Sequence, residues 1–394
     1  MAMGRMHAWM LRVSGAVASV ILLGSAACHL NPVRLGVVLP LTGSLSQYGK
    51  SLERGAFLAE EQVNANGGIE GRRLKLLTMD SGSSPEAAAK MFQKLVVEEL
   101  VPAVVGGAST PECLAMAPVA ERYRRVLLSP SASGPQISGS GEFVFRNWPS
   151  DEIEGRTLAD FAAYTLHASR ALVVSERNPY AEGFASVFIR RFAAEGRTTE
   201  LEVLDPARPQ RDTLAHLAGP LNACQVVILS GYAGNLLPLL SALRTRPDLP
   251  PVLSTSAMGE GTSLRDAAMG GVLFARPAFD PEGDTAAAEF SSLYAAKFGQ
   301  EADIYAAHAF DAVKLLAEVM RKTGPGASGL QRGLLSVRNY QGAAGSTTFD
   351  SNGDVIQPFQ ICAVEAGRAV PLKSVVERVL PPLQERVQSR RFGR

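Results

Sequence analysis

The residues best placed to do chemistry form a short loop, Gly106-Gly107-Ala108-Ser109-Thr110-Pro111-Glu112, set between an apolar run and a helical pattern. Pro111 suits a first helical position and Thr110 its cap, which leaves the N–H groups beyond facing the carboxyl end of the preceding strand. A helix start of this kind can dock an anion on hydroxyl and backbone donors. Taken on these residues alone it reads as a plain helix start. Glu112 must then point away from any anion or meet a cation.

Machinery for catalysis is hard to find. The chain has no G-x-S-x-G elbow, no P-loop and no H-E-x-x-H pair, and of its five histidines His7 lies near the amino terminus. His308 falls in a helical stretch and is read as packing. Ser138-Gly-Ser-Gly141 is too irregular for a dinucleotide loop, and Asp350–Asp354 carries the Asn352-Gly353 pair of a turn without the rest of a calcium loop. Cys113, Cys224 and Cys362 lack the close pairing of a zinc set and read as buried thiols, with one disulfide among them at most. No enzymatic activity, cofactor or metal is expected.

The elements around the loop alternate. Arg34–Pro40, Leu74–Met79, Val101–Val105 and Val126–Leu128 are extended, and helical spacing at Leu52, Ala56, Ala59 and Val63, at Ala88, Phe92 and Leu95, and over Leu114–Arg122 separates them. This β-α-β-α-β order predicts a parallel sheet covered on both faces, with loops at the strands' carboxyl ends. Arg146–Asp151, with Pro149, interrupts it. A second series follows, extended at Ala171–Val174, Leu201–Leu204, Cys224–Leu229, Pro251–Ser254 and Val272–Ala275, helical at Tyr180–Ala194 and Leu236–Leu243. Two helices, Ala286–Phe298 and Tyr305–Thr323, come next, and Thr347–Phe349 with Phe359–Val364 read as a hairpin across Asp350–Asp354. Residues 381–394 read as a basic, flexible tail.

Composition agrees with a globular chain of two lobes plus a leader, since 394 residues with 46% hydrophobic and 20% charged side chains can build two cores. A net charge of +1 offers no field to recruit nucleic acid. Arg5, His7 and Arg12 precede an apolar run, Val13–Leu23, and small residues then lead into Cys28, the layout of a secretory signal over residues 1–28. Ser25-Ala26-Ala27-Cys28 resembles a bacterial lipobox, although Leu is usual where Ser25 stands. Lipidation of Cys28 would tether the protein to a membrane surface; simple cleavage at the small residues is the alternative.

Longer stretches resemble a known family. Arg34-Leu-Gly-Val-Val-Leu-Pro-Leu-Thr-Gly43, Gln47-Tyr-Gly49, Asn64-Ala-Asn-Gly-Gly-Ile-Glu-Gly-Arg72, Ser129-Pro-Ser-Ala-Ser133, Tyr180-Ala-Glu-Gly183, Ala302–Val313 and Thr348–Asp354 occur in family order. They resemble the leucine/isoleucine/valine-binding proteins, type I periplasmic receptors of branched-chain amino acid ABC transporters. The resemblance implies an α/β fold of two doubly wound parallel-sheet lobes joined by a three-crossing hinge. It assigns 33–150 plus 280–346 to the amino-terminal lobe and 151–279 plus 347–375 to the carboxy-terminal lobe. It also implies an extracytoplasmic location, a small amino acid or analogue as ligand, and ABC permease and ATPase subunits as partners.

By the same resemblance Ser109, Thr110, Ser131, Ala132 and Ser133 fall on carboxylate-binding loops, and Tyr48, Tyr180 and Tyr232 on the pocket lining. Ser256 stands near the family's usual acidic partner for a ligand ammonium, and no carboxylate follows until Glu260. Either another acid, Glu176 or Glu260, substitutes, or the ligand lacks that cation, because an unpaired buried ammonium costs several kcal/mol. A ligand-sensing receptor for an amide, a urea-like compound or a small carboxylic acid is the alternative function.

Overall fold

The computed structural model describes residues 31–205, 207–259 and 261–392; the expected leader and Cys28 lie outside the described residues, as does Glu260. The first lobe runs β1 (Val33–Leu39), α1 (Ser46–Ala65), β2 (Leu74–Asp80), α2 (Pro85–Val97), β3 (Ala103–Gly106), α3 (Thr110–Tyr123), β4 (Val126–Ser129) and β5 (Val144–Arg146). Its five strands are all parallel, in the order β2-β1-β3-β4-β5. β3 and β4 are apolar at nearly every position because helices cover both faces of the sheet, so neither face needs polar residues.

The second lobe begins with α4 (Asp151–Asp160), which continues through one wider turn to Thr165, and then β6 (Arg170–Ser175), α5 (Pro179–Ala194), β7 (Thr198–Val203), α6 (Gln210–Ala223), β8 (Val226–Ser230), α7 (Ala233–Leu243), β9 (Val252–Ser254) and β10 (Leu273–Pro277). α6 has no counterpart among the elements read from sequence. Its buried face is only Thr213, Leu217 and Leu221, a stripe too thin to stand out between Pro209 and Pro220.

The chain then returns to the first lobe as α8 (Thr285–Phe298), α9 (Ile304–Thr323), α10 (Ala327–Leu335) and the short antiparallel pair β11 (Tyr340–Gly342) and β12 (Gly345–Thr347). α9 lies close against α1: a Cβ on Gly55 would stand 2.0 Å from the carbonyl oxygen of Ala306, so only glycine permits that approach. The Asp311 carboxylate accepts from the N–H groups of Ala343 (2.8 Å) and Ala344 (2.7 Å), which fixes the β11–β12 turn against α9.

The last segment is β13 (Phe359–Glu365), β14 (Arg368–Pro371) and α11 (Val376–Phe392). β13 and β14 extend the second sheet to β14-β13-β10-β9-β8-β6-β7, antiparallel only at β13 and β14. The expected hairpin between 347–349 and 359–364 is therefore corrected: β12 pairs with β11, and β13 with β10 and β14. The Asp350–Asp354 turn closes instead on a bridge between Phe349 and Val355, both buried in the first lobe's core. The third crossing consequently falls at 356–358, beyond the boundary between 346 and 347 that the resemblance implies. The basic tail is corrected as well. α11 buries Leu383 and Val387 in the second lobe, and its Arg390 donates to the carbonyls of Leu221 (2.8 Å) and Cys224 (3.0 Å).

Cys113, Cys224 and Cys362 are free and buried, and burial pushes the Cys113 thiol up to about 12 and the Cys224 thiol up to about 11. Neither offers a thiolate at neutral pH.

One ion pair deserves its position in this frame. Arg146 ends β5 with no exposed surface, and its Nε donates to Asp354 Oδ1 at 2.6 Å, tying the sheet edge to the turn that precedes the third crossing. Removing the carboxylate by Asp354→Ala leaves a buried guanidinium short of its counter-charge, and the expected loss is about 3–5 kcal/mol in urea unfolding. A loss under about 1 kcal/mol, the range of an exposed pair, would show that Arg146 finds compensation elsewhere.

Candidate functional site

The carboxyl ends of both sheets meet across a cleft. On the first-lobe side the loop after β3 leads into α3, whose cap is Ser109 rather than the expected Thr110, with Thr110 and Pro111 in the first turn. Ser109 and Glu112 form a reciprocal capping box: the Glu112 N–H donates to Ser109 Oγ, and the Ser109 N–H donates to Glu112 Oε2 at 3.2 Å. The Glu112 carboxyl also accepts from the Ser81 hydroxyl at 2.5 Å, so it turns away from the cleft. Burial raises its pKa against the pull of those hydroxyls, which lessens its negative charge beside the helix start.

Three hydroxyls face the same space. Thr110 Oγ1 accepts from the Gly134 N–H at 3.0 Å and keeps its own proton to donate. Ser131 Oγ donates to the Ala108 carbonyl at 2.7 Å and keeps acceptor capacity. Ser133 lines the cleft, and its carbonyl is held by Arg146 Nη1 at 2.8 Å and by the Asp151 N–H at 2.8 Å.

Aromatic rings close the cleft. Tyr180 enters from the start of α5 and Tyr232 from the turn before α7, their centroids 4.9 Å apart. Tyr48 of α1 meets Tyr232 at 6.2 Å and Tyr305 edge-on at 5.3 Å, and Trp148 stacks on Tyr305 at 5.1 Å. Tyr48 Oη donates to the Ala257 carbonyl of the second lobe at 2.7 Å, and Thr262 Oγ1 donates to Gln47 Oε1 at 2.8 Å. The lobes are thus latched directly to one another, a closed arrangement.

Eight of the nine residues expected in the site line this cleft: Tyr48, Ser109, Thr110, Ser131, Ser133, Tyr180, Tyr232 and Ser256. Ala132 does not; it packs into the first lobe's core and its N–H donates to Ser129 Oγ at 3.0 Å. Leu45, Ala108, Trp148, Ala257 and Tyr305 complete the lining. Trp148 and Tyr305 stood in view as aromatics at a chain break and a helix start. Their convergence is tertiary and has no local pattern.

Of the acids considered as stand-ins near Ser256, Glu176 is turned into its own lobe. Its carboxylate accepts from the Tyr232 N–H at 3.2 Å and from Asn178 Nδ2 at 2.7 Å, and it does not line the cleft. Glu154 is the acid that reaches Ser256, accepting from its N–H at 2.7 Å and its hydroxyl at 3.0 Å. One turn earlier on α4 stands Asp151. Both are fully buried; burial raises both pKa values, and Asp151 raises that of Glu154 further. Neither acid was singled out from the sequence.

Two α/β lobes, three crossings, and a cleft of hydroxyls and rings drawn from both sides define a solute-binding clamp that closes on what it holds. The chain belongs to the periplasmic binding protein family, whose model matches residues 32–369. It is 24% identical to the Leu/Ile/Val-binding protein homolog 3 of Brucella melitensis, over 92% of this chain and 100% of that one. The branched-chain amino acid transporter substrate-binding protein LivJ of Streptococcus pneumoniae, solved in complex with isoleucine, superposes with a TM-score of 0.78 at 22% identity, covering 86% of this chain and 98% of that one. A solute-binding protein of an R. palustris ABC transporter, solved with benzoate, has a TM-score of 0.78 at 19% identity, covering 87% and 96%.

His308 lies behind this wall, fully buried, with its ring 4.7 Å from that of Trp148. Neither ring nitrogen makes a hydrogen bond of ordinary geometry, and burial pushes its pKa down from 6.5 to about 3, opposed only by the Asn147 backbone. The unfolded chain therefore binds a proton that the folded chain refuses between those values, and stability at this position is lost as pH falls through that window. Replacing the ring by His308→Gln should reduce the dependence of unfolding free energy on pH by up to ~1.4 kcal/mol per pH unit. An unchanged slope in urea titrations across the window would mean that His308 protonates in place.

Proposed function

We propose that the chain is the extracytoplasmic solute-capturing subunit of an ABC importer and that its ligand is an amino acid or close analogue held between the lobes. The observation that carries this is the convergence of Thr110, Ser131 and Ser133 with the start of α3 on one side and of Tyr180 and Tyr232 on the other. The Thr110 N–H at the start of α3, the Thr110 hydroxyl and the Ser133 hydroxyl suit a carboxylate, and the tyrosines suit the solute's apolar part. Relatives named for leucine, isoleucine and valine binding support the ligand class. The Tyr48–Ala257 bond shows how closure would be held, with the ligand adding contacts available only in the closed form.

The expected leader supports export. Small residues Ser25-Ala26-Ala27 leading into Cys28 support a lipid on that cysteine as the anchor. A second reading, capture of an aromatic or other small carboxylic acid, has two observations in its favour: position 256 is a serine and not an acid, and a structural neighbour was solved with benzoate.

A thermal-shift screen of the mature protein against amino acids, amides and small carboxylic acids tests the reading, since a ligand at a hundred times its Kd adds about 2.7 kcal/mol to stability. At least one amino acid is expected to raise the melting temperature. Thr110→Ala should weaken that ligand about tenfold, the worth of one hydrogen bond to a charged group, while the unliganded protein still unfolds cooperatively. Unchanged affinity in Thr110→Ala would displace the carboxylate from this loop, and a screen without any shift would defeat the receptor reading.

A further inference from the structure

The first turn of α4 is where the two lobes touch the same few residues. Its Asp151 N–H donates to the Ser133 carbonyl of the first lobe, and its Glu154 carboxylate takes both the N–H and the hydroxyl of Ser256 in the second. Ser133 and Ser256 both line the cleft, so the two acids stand directly behind its wall. Each has essentially no exposed surface.

Buried carboxylates are normally paired with a cation or satisfied by several donors. Asp151 is short of both: the Ser133 hydroxyl and the neighbouring Glu154 carboxyl stand beside it, but neither makes a hydrogen bond of ordinary geometry to its side-chain oxygens. The nearest cation is Arg146, whose four directed bonds go to Asp354, Ser133, Gly134 and Ser138. Beside Asp151, the Tyr180 hydroxyl is also buried, with the Thr255 hydroxyl near it but no hydrogen bond of ordinary geometry, and Tyr180 lines the cleft. Two adjacent buried acids, one of them short of well-formed donors, are an arrangement that a positive charge on the cleft side of Ser133 and Ser256 would favour in the charged form.

Resting on the reading of the chain as an amino acid receptor, we propose that Glu154, acting with Asp151, supplies the negative end of the site in place of an acid at Ser256, so that the ligand must carry an ammonium group. Glu154 is a positioning residue here: it holds the Ser256 backbone and hydroxyl and completes the counter-charge, and Asp151 presents the oxygens nearest the ammonium. Donors at the start of α3 and acids at the start of α4 would then select a zwitterion, and a carboxylic acid without the amine would be rejected.

The test compares each amino acid with its desamino acid, L-leucine with isocaproate and L-alanine with propionate, and includes benzoate, by calorimetry on the full mature chain. The wild type is expected to prefer the amino acid by about 100-fold or more, the scale for leaving a buried charge unpaired. Glu154→Gln should cut that preference by about tenfold or more, and adding Ser256→Glu to it should restore the preference, a rescue that a purely structural role for Glu154 would not produce. Equal binding of amino acid and desamino acid, or tighter binding of benzoate, overturns the inference and leaves the receptor standing, and needs no variant to be seen. A full preference kept in Glu154→Gln likewise overturns it. Binding of none of these solutes counts against the receptor reading itself, and the inference falls with it.

Discussion

The buried guanidinium of Arg146 sets the geometry on which the cleft depends. One side chain with no access to water holds Asp354, the carbonyls of Ser133 and Gly134, and the Ser138 hydroxyl. Desolvating a guanidinium is costly unless all its donors are met, and here the partners come from the loop that carries two of the cleft hydroxyls and from the turn leading into the third crossing. Satisfying one charge therefore fixes a cleft-lining loop and the turn before the third crossing relative to one another. The Phe145 and Phe349 rings, edge to face at 5.5 Å, pack the same junction.

From that anchored edge the rest of the cleft follows by packing. Trp148 lies two residues beyond Arg146, and its stacking on Tyr305 connects the first crossing to the start of α9. Tyr305 in turn buttresses Tyr48, whose hydroxyl reaches across to Ala257. The rings that would touch a solute are thus continuous with the rings that position the hinge. A solute pressing on Tyr48 or Tyr232 acts on the element that decides whether the lobes meet, which is how a small ligand can bias a large motion.

Much of this was legible in the residues. Parallel strands such as Ala103–Gly106 and Val126–Ser129 are buried on both faces and read as unbroken apolar runs, and the pause at Pro149 falls just before α4, where the chain enters the second lobe. The third crossing was misplaced because Asn352-Gly353 looks like any hairpin turn, whereas the choice of partner strand is made by Arg146, far away in sequence. α11 was missed for a related reason: two buried apolar residues, Leu383 and Val387, are a faint stripe among arginines, and the carbonyls of Leu221 and Cys224 that Arg390 binds are invisible locally. The hydroxyls and tyrosines of the cleft became legible through family resemblance, since nothing in the spacing of Tyr48, Tyr180 and Tyr232 foretells that they meet. Glu154 was illegible altogether, because its meaning lies in Ser256, which is 102 residues away.

The placement of the two acids also makes physical sense of the hinge. A helix amino terminus tolerates negative charge better than other buried places, because the partial positive charge of the first-turn N–H groups offsets part of the desolvation. α4 starts where the chain leaves the first lobe, so its first turn bonds to Ser133 on one side and Ser256 on the other. An acid on β9 would travel with the second lobe alone. On α4 the charge sits at the pivot, and closure brings the ligand-facing rims of both lobes around it. A cation brought beside this pair by closure would favour the charged form of acids that burial otherwise keeps protonated, and so would stabilise closure in addition to making its own contacts.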